Sequence, residues 1–360
     1  MNRTESFSAA AWRRLKKNRG AMVGLVLIAL AVIVALFGYF LSPDPSPYAN
    51  RIILETGGQK PGFRQQFLLV KKDRDVSVSM AERLISGKPD AYDYIPITSW
   101  QQADDSLIVQ RFIDEGLTER AAFHKNSLSP NPVQTKTFLL GTDKYGRDIL
   151  SRLIIGTRVS LSVGLITVII SLTLGIILGS LAGYFRGRAD DIIMWLINVI
   201  WSIPTLLLVF AITLLLGKGF WQVFIAVGLT MWVNVARLVR GQVLSARELQ
   251  YVEAARALGF SNLRIITRHI LPNILGPVLV IAASNFASAI VIEAGLSFLG
   301  VGVQPPQPSW GLIIKENYNF IITQNPMLAL APGFAIMILV MAFNLLGNGL
   351  RDALNVRGKI

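Results

Sequence analysis

The chain has 360 residues, 52% hydrophobic and only 16% charged, whereas soluble proteins carry about 25% charged residues. The hydrophobic excess sits in long uncharged runs, which excludes a water-soluble enzyme and a disordered chain. A net charge of +13 and the absence of cysteine leave two questions: where the basic residues lie, and which chemistry is missing. Without thiols there are no disulfides, thiolate metal sites or cysteine nucleophiles.

Residues 1–20 form a basic tail. Ala21–Leu41 follows as 21 residues without a charge, ending at Ser42-Pro43-Asp44-Pro45. That run is longer than a signal-peptide core, so it predicts a retained membrane anchor. Arg13, Arg14, Lys16 and Lys17 can also attract anionic lipid headgroups.

Residues 42–141 are rich in charge and balanced, with twelve basic and twelve acidic residues, and the longest apolar run there is Phe67–Val70. This predicts a small folded extracytoplasmic domain, bordered by Pro43, Pro45 and Pro47 and by Pro130 and Pro132. Ser106–Phe123 predicts an amphipathic helix with Leu107, Ile108, Phe112, Ile113 and Leu117 as its apolar set. Arg51–Leu54 and Phe67–Val70 are strand candidates.

Five further runs, 159–185, 192–216, 219–236, 270–292 and 327–349, are long enough to cross a hydrocarbon core of about 30 Å as helices. Outside 42–158 there are 19 basic residues, and 17 fall in the N-terminal tail, at Arg186 and Arg188, in the 237–269 loop and in the 351–360 tail. With six alternating spans and a cytoplasmic N-terminus, all four places are cytoplasmic. The positive charge is therefore a membrane-orientation signal, and nucleic acid is not needed to explain it.

Within the 237–269 loop, Tyr251–Phe260 reads as a short helix with small side chains at Ala254, Ala255 and Ala257. Gly259 stands where a left-handed residue ends a helix, and Ser261 can cap the next one. Pro272 falls in the first turn of the following span. Such a helix suits either docking into a partner's groove or lying at the lipid surface.

Glu253-Ala254-Ala255, Gly259 and Arg268-His269-Ile270-Leu271-Pro272-Asn273 together resemble the EAA loop of ABC importer permeases, with His269 at a usually aliphatic position. Leu140-Gly141-Thr142-Asp143-Lys144-Tyr145-Gly146-Arg147-Asp148 with Ser151-Arg152 resembles the peptide branch's signature. So do Glu293–Gly300 with Gln304-Pro305-Pro306 and Pro308-Ser309-Trp310-Gly311, and Gly347-Asn348-Gly349-Leu350-Arg351-Asp352. The chain resembles the second permease type of the oligopeptide/dipeptide transport family, loosely over 1–41 and closely over 138–355. It departs from the family at Asn348, Asn355 and Val356, and its 50–137 segment is longer.

The resemblance implies an all-α membrane protein of the bacterial inner membrane. Six transmembrane helices would form a type I importer fold, with an extracytoplasmic insertion between the first two and a permease core over 142–350. It implies coupling to ATPases through Glu253, Ala254, Ala255, Arg256, Gly259 and Phe260. Partners would be a second permease, two ATP-binding subunits and an extracytoplasmic substrate-binding protein. No GxxxxGK[ST] loop occurs in the sequence, so ATP and Mg would be bound by the partner subunits and this chain would not itself be an enzyme. A secondary transporter or channel acting without ATPases is the alternative.

Polar residues inside the spans are costly in lipid and should face the bundle interior. Asn198 and Ser202 in the third span, with Ser284, Asn285 and Ser288 in the fifth, line a translocation path or make interhelical hydrogen bonds. Glu293 fits a gate or a structural role. Pro204 predicts a kink, and Gly175, Gly179 and Gly183 a close helix contact. Asp143, Arg147, Asp148 and Arg152 suit an interfacial helix with an Asp148–Arg152 pair rather than a catalytic cluster. His124 and His269 are isolated.

Overall fold

The computed structural model describes residues 7–73, 77–114, 116–322 and 325–354. Asn355 and Val356 lie outside the described residues. In chain order, helices α1 (Phe7–Lys17) and α2 (Arg19–Leu41) lead into a region of strands β1 (Phe63–Lys71), β2 (Tyr92–Ala103), β3 (Ser106–Asp114), β4 (Leu117–His124) and β5 (Leu128–Phe138), with α3 (Met80–Ser86) between the first two strands. Then come α4 (Ile149–Phe185), α5 (Gly187–Trp201), α6 (Thr205–Leu216), α7 (Phe220–Arg247) and α8 (Gln250–Ala257). Helix α9 (Asn262–Arg264) passes through a π turn over Ile265–Ile270 into α10 (Leu271–Phe298), and α11 (Trp310–Asn317) and α12 (Met327–Leu354) close the chain. Two compact units result, one of residues 1–31, 160–304 and 336–360, the other of residues 32–159 and 305–335.

Among the described residues, five helices are long and apolar enough to cross a membrane: α2, α4, α7, the joined α9–α10 and α12. The expected straight span over 192–216 is instead α5 and α6, bent by 92°. Pro204 has no N–H to continue the helix, and it stands at the break as the residue before α6. Helix α7 continues through Arg247, so the first third of the expected 237–269 loop is helical.

The first unit is organised around α7, whose Val235, Val239 and Val243 are fully buried with Ile265, Ile270 and Val252. Helix α4 approaches it through the glycine ladder. A Cβ at Gly175 would stand 2.4 Å from Val235 Cβ, at Gly179 2.5 Å from the Ala236 carbonyl, and at Gly183 2.8 Å from the Arg240 carbonyl. Only hydrogen fits there, so the ladder is a packing device.

The second unit carries an antiparallel sheet in the order β4-β3-β2-β1-β5, which corrects the all-α expectation. Ser106–Phe123 is a hairpin of β3 and β4, with Asp114 opposite Leu117, and not an amphipathic helix. The buried positions are Leu107 and Val109, two apart, while Leu117 is exposed. Gly116, at φ +81°, supplies a turn that a helix would not tolerate cheaply. Phe67–Val70 lies in β1, but Arg51–Leu54 forms no strand; a 3₁₀ turn begins at Leu54. Leu68, Ile97, Leu107, Val109 and Leu128 make the core of this sheet.

Candidate functional site

Helix α8 of the first unit is buried on one side and exposed on the other. Val252 and Ala255 are buried among Val243, Ala246, Ile265, Ile266 and Ile270. The opposite side exposes Glu253, Ala254, Arg256, Ala257 and Leu258. The two alanines of the Glu-Ala-Ala run therefore differ in their surroundings: Ala255 lets the helix seat closely, and Ala254 faces outward. Leu258 is 73% exposed, which costs free energy unless a partner or lipid covers it.

The helix ends in a Schellman turn. Phe260 N–H donates to the Ala255 carbonyl (3.2 Å) and Gly259 N–H to the Arg256 carbonyl (3.0 Å), with Gly259 at φ +77°. Ser261 holds the extended cap position of α9, but its side chain makes no capping bond there. Its carbonyl instead accepts from Ile265 N–H at 3.0 Å. Phe260 points back from the turn, stacked on His269 at 5.8 Å and 18°, with the Arg264 guanidinium 4.2 Å from its ring centre. Thus the histidine at the usually aliphatic position is an aromatic support for the turn. Tyr184 ties α4 to this region through a 2.9 Å hydrogen bond between its hydroxyl and Asn262 Oδ1.

A cavity of about 360 Å³ opens between α5, α6, α7 and α10. Ser284, Asn285 and Ser288 of α10 line it; Thr205, Thr230 and Asn234 add to it, with Trp201 and Ile292 as apolar wall. Every lining residue is uncharged. Asn234 lines the cavity too, although it is not among the pathway candidates of the sequence. Its polarity inside an apolar run was the available signal.

Asn198 and Ser202 do not line this cavity. Asn198 Oδ1 accepts from Arg237 Nη2 at 3.2 Å, and the Arg237 guanidinium lies 3.6 Å from the Trp201 ring centre. The Ser202 hydroxyl bonds back to the Val199 carbonyl at 2.7 Å. Glu293 is fully buried but also lies apart from the lining. Ser297 donates to its Oε1 at 2.6 Å, and the same hydroxyl accepts from Val303 N–H at 3.0 Å. These bonds hold the turn that follows α10.

In the second unit the charged motif is a buried network. Asp143 Oδ2 accepts from Arg147 Nε (2.6 Å) and Arg152 Nη1 (2.7 Å), and Glu316 Oε2 accepts from Arg147 Nη2 (2.8 Å) and Arg152 Nη1 (2.7 Å). Two cations and two carboxylates balance, which is what permits burial. The expected Asp148–Arg152 pair does not form. Asp148 Oδ2 instead accepts from Ser151 N–H at 2.8 Å, because Arg152 is drawn to Glu316. No group of three or more metal-ligating side chains occurs among the described residues.

Residues 175–359 match the family model described as binding-protein-dependent transport system inner membrane component. Residues 6–60 match that of the N-terminal membrane domain of oligopeptide transport permease C. The dipeptide transport system permease protein DppC of Bacillus subtilis is 31% identical over 97% of this chain and 86% of its own.

The chain belongs to the binding-protein-dependent inner membrane permease family.

The glutathione transport system permease protein GsiD of Pectobacterium atrosepticum is 42% identical over 61% of this chain and 73% of its own. The di/tripeptide transport system permease protein DppC of Pseudomonas aeruginosa is 44% identical over 62% and 73%. This permease is thus the membrane component of its transporter and not the catalytic one.

Proposed function

We propose that this permease forms half of the pathway of an ATP-driven importer for di- or oligopeptides, paired with a second homologous permease. Two ATP-binding subunits hydrolyse ATP and bind its Mg, and an extracytoplasmic binding protein delivers cargo. Both termini and α8 lie in the cytoplasm, and residues 42–141 lie on the other side. The observation that carries this reading is α8 itself. It is anchored by Val252 and Ala255 to α7 and the π turn while it offers Glu253, Ala254, Arg256 and Leu258 outward. A push on such a helix is transmitted to packed side chains rather than absorbed by a free loop.

The uncharged cavity favours peptide cargo of varied sequence. Asn234, Asn285, Ser284 and Ser288 can exchange hydrogen bonds with main-chain amides, which every peptide has, and no charge there selects a side chain. Its volume is that of a small-ligand site. Glutathione is itself a short peptide, so the relatives share one cargo chemistry.

The test is uptake of a labelled dipeptide by the complex reconstituted in liposomes with its binding protein. ATP-dependent accumulation is expected, with Asn285→Leu raising the peptide concentration needed for half-maximal uptake. Accumulation driven by an ion gradient without ATP would make the protein a secondary transporter instead.

A further inference from the structure

In the second unit, a cavity of about 140 Å³ lies among Asp44, Arg51, Lys136, Phe138 and Asp148. Its charges are unevenly satisfied. Arg51 is paired: Nε donates to Asp90 Oδ2 at 2.6 Å, and Nη2 reaches Asp90 Oδ1 and, at 3.2 Å, Asp44 Oδ1. Burial works against this cation, and Asp90 and Asp44 outweigh it. Asp44 is engaged as well, accepting from the Ser46 and Arg51 amides at 3.0 and 3.2 Å.

Asp148 and Lys136 are not so placed. Asp148 is 6% exposed; its Oδ2 is held by Ser151, but its buried Oδ1 has no hydrogen-bond partner among the described residues. The Lys136 ammonium sits 4.1 Å from the Tyr94 ring centre, with no carboxylate or carbonyl acceptor among the described residues. Burial, and then the neighbouring Arg51 cation, push its pKa down to about 8. Burial likewise raises that of Asp148 against its bonds from Ser151. A half-buried ammonium with no acceptor and a buried carboxylate oxygen with no donor among the described residues therefore border one cavity, and the buried oxygen is costly until met.

One water needs only about 10–15 Å³ of such space, and a cavity near 150 Å³ holds a molecule the size of benzene, about six heavy atoms. We propose that this cavity binds a small α-amino acid zwitterion, its ammonium donating to Asp148 Oδ1 and its carboxylate accepting from Lys136. Pro43, Ile53 and Phe138 give apolar wall for a methyl-sized side chain, and the volume excludes a tripeptide. The site shares no residue with the cavity of α5–α10 and does not depend on the cargo assigned to that cavity.

The experiment is calorimetric titration of the full chain, in the complex solubilised from native membranes, with L-alanine, acetate and methylammonium in turn. Saturable L-alanine binding is expected, with each half-ligand weaker by about tenfold or more, the scale of one charge-assisted hydrogen bond. Lys136→Met and Asp148→Asn should each weaken L-alanine by a similar factor. Asp148 supports the Ser151 bonds, so loss of folding in Asp148→Asn leaves Lys136→Met, on an edge strand, to carry the test. Absence of saturable L-alanine binding, acetate binding as tightly as L-alanine, or full affinity in Lys136→Met would each overturn the proposal.

Discussion

Gly259 holds φ +77° with no atom within 4 Å of the place a Cβ would occupy. Its demand is thus one of backbone conformation and not of space. Proline, fixed near −65° and without the N–H that bonds to Arg256, cannot make this turn, whereas asparagine tolerates the left-handed region. Gly259→Pro should leave the protein inserted and assembled but stop ATP-linked uptake, and Gly259→Asn should retain most of it. Equal uptake by both variants would separate the turn from coupling. Gly259 was legible in the sequence because a lone glycine after a run of small helical residues has few other uses. The partner of Arg152 was not, since Glu316 lies 164 residues on and no local spacing points to it. The Asp148–Arg152 expectation failed for that reason: an i,i+4 rule sees only neighbours, and a balanced buried network recruits whichever carboxylate the fold delivers.

At the scale of elements, α4 and α7 meet where Gly179 faces the Ala236 carbonyl. Gly179→Leu would force this contact apart at a cost of about 1–3 kcal/mol or more, as overpacking does. The expected result is a lower unfolding temperature for the purified protein, while Gly333→Leu on α12, where a Cβ meets nothing within 4 Å, leaves it unchanged. If both variants melt with the wild type, the ladder does not set the spacing. The spans were readable because lipid admits only uncharged runs of the required length, a signal that needs no neighbour. The break between α5 and α6 was half-readable: Pro204 predicted a kink, but the size of the bend depends on packing. The β3–β4 hairpin was misread because Leu107, Ile108, Phe112 and Ile113 fit a helical face as well as a strand. Sheet pairing with β2, and not local period, decided between them.

For the whole molecule, two features meet in one unit: an uncharged cavity lined by α10 and the half-exposed helix α8, packed on the π turn that opens the same α9–α10 rod. A displacement of α8 therefore has a covalent and packed route to the cavity wall. That route was hidden in the sequence. The motif marks α8, and polar residues mark α10, but their mechanical union depends on Val252 and Ala255 burying against Ile265, Ile266 and Ile270.

The most direct test of ATPase coupling through α8 exploits the absence of native cysteine. Ala254→Cys, exposed on α8, and Ser99→Cys, exposed on β2, would each be treated with a short bifunctional thiol–amine reagent in native membranes. Position 254 should crosslink to an ATP-binding subunit, in yields that change when ATP is trapped, and position 99 should not. An intact complex in which position 99 crosslinks to the ATPase, or position 254 never does, would contradict that coupling.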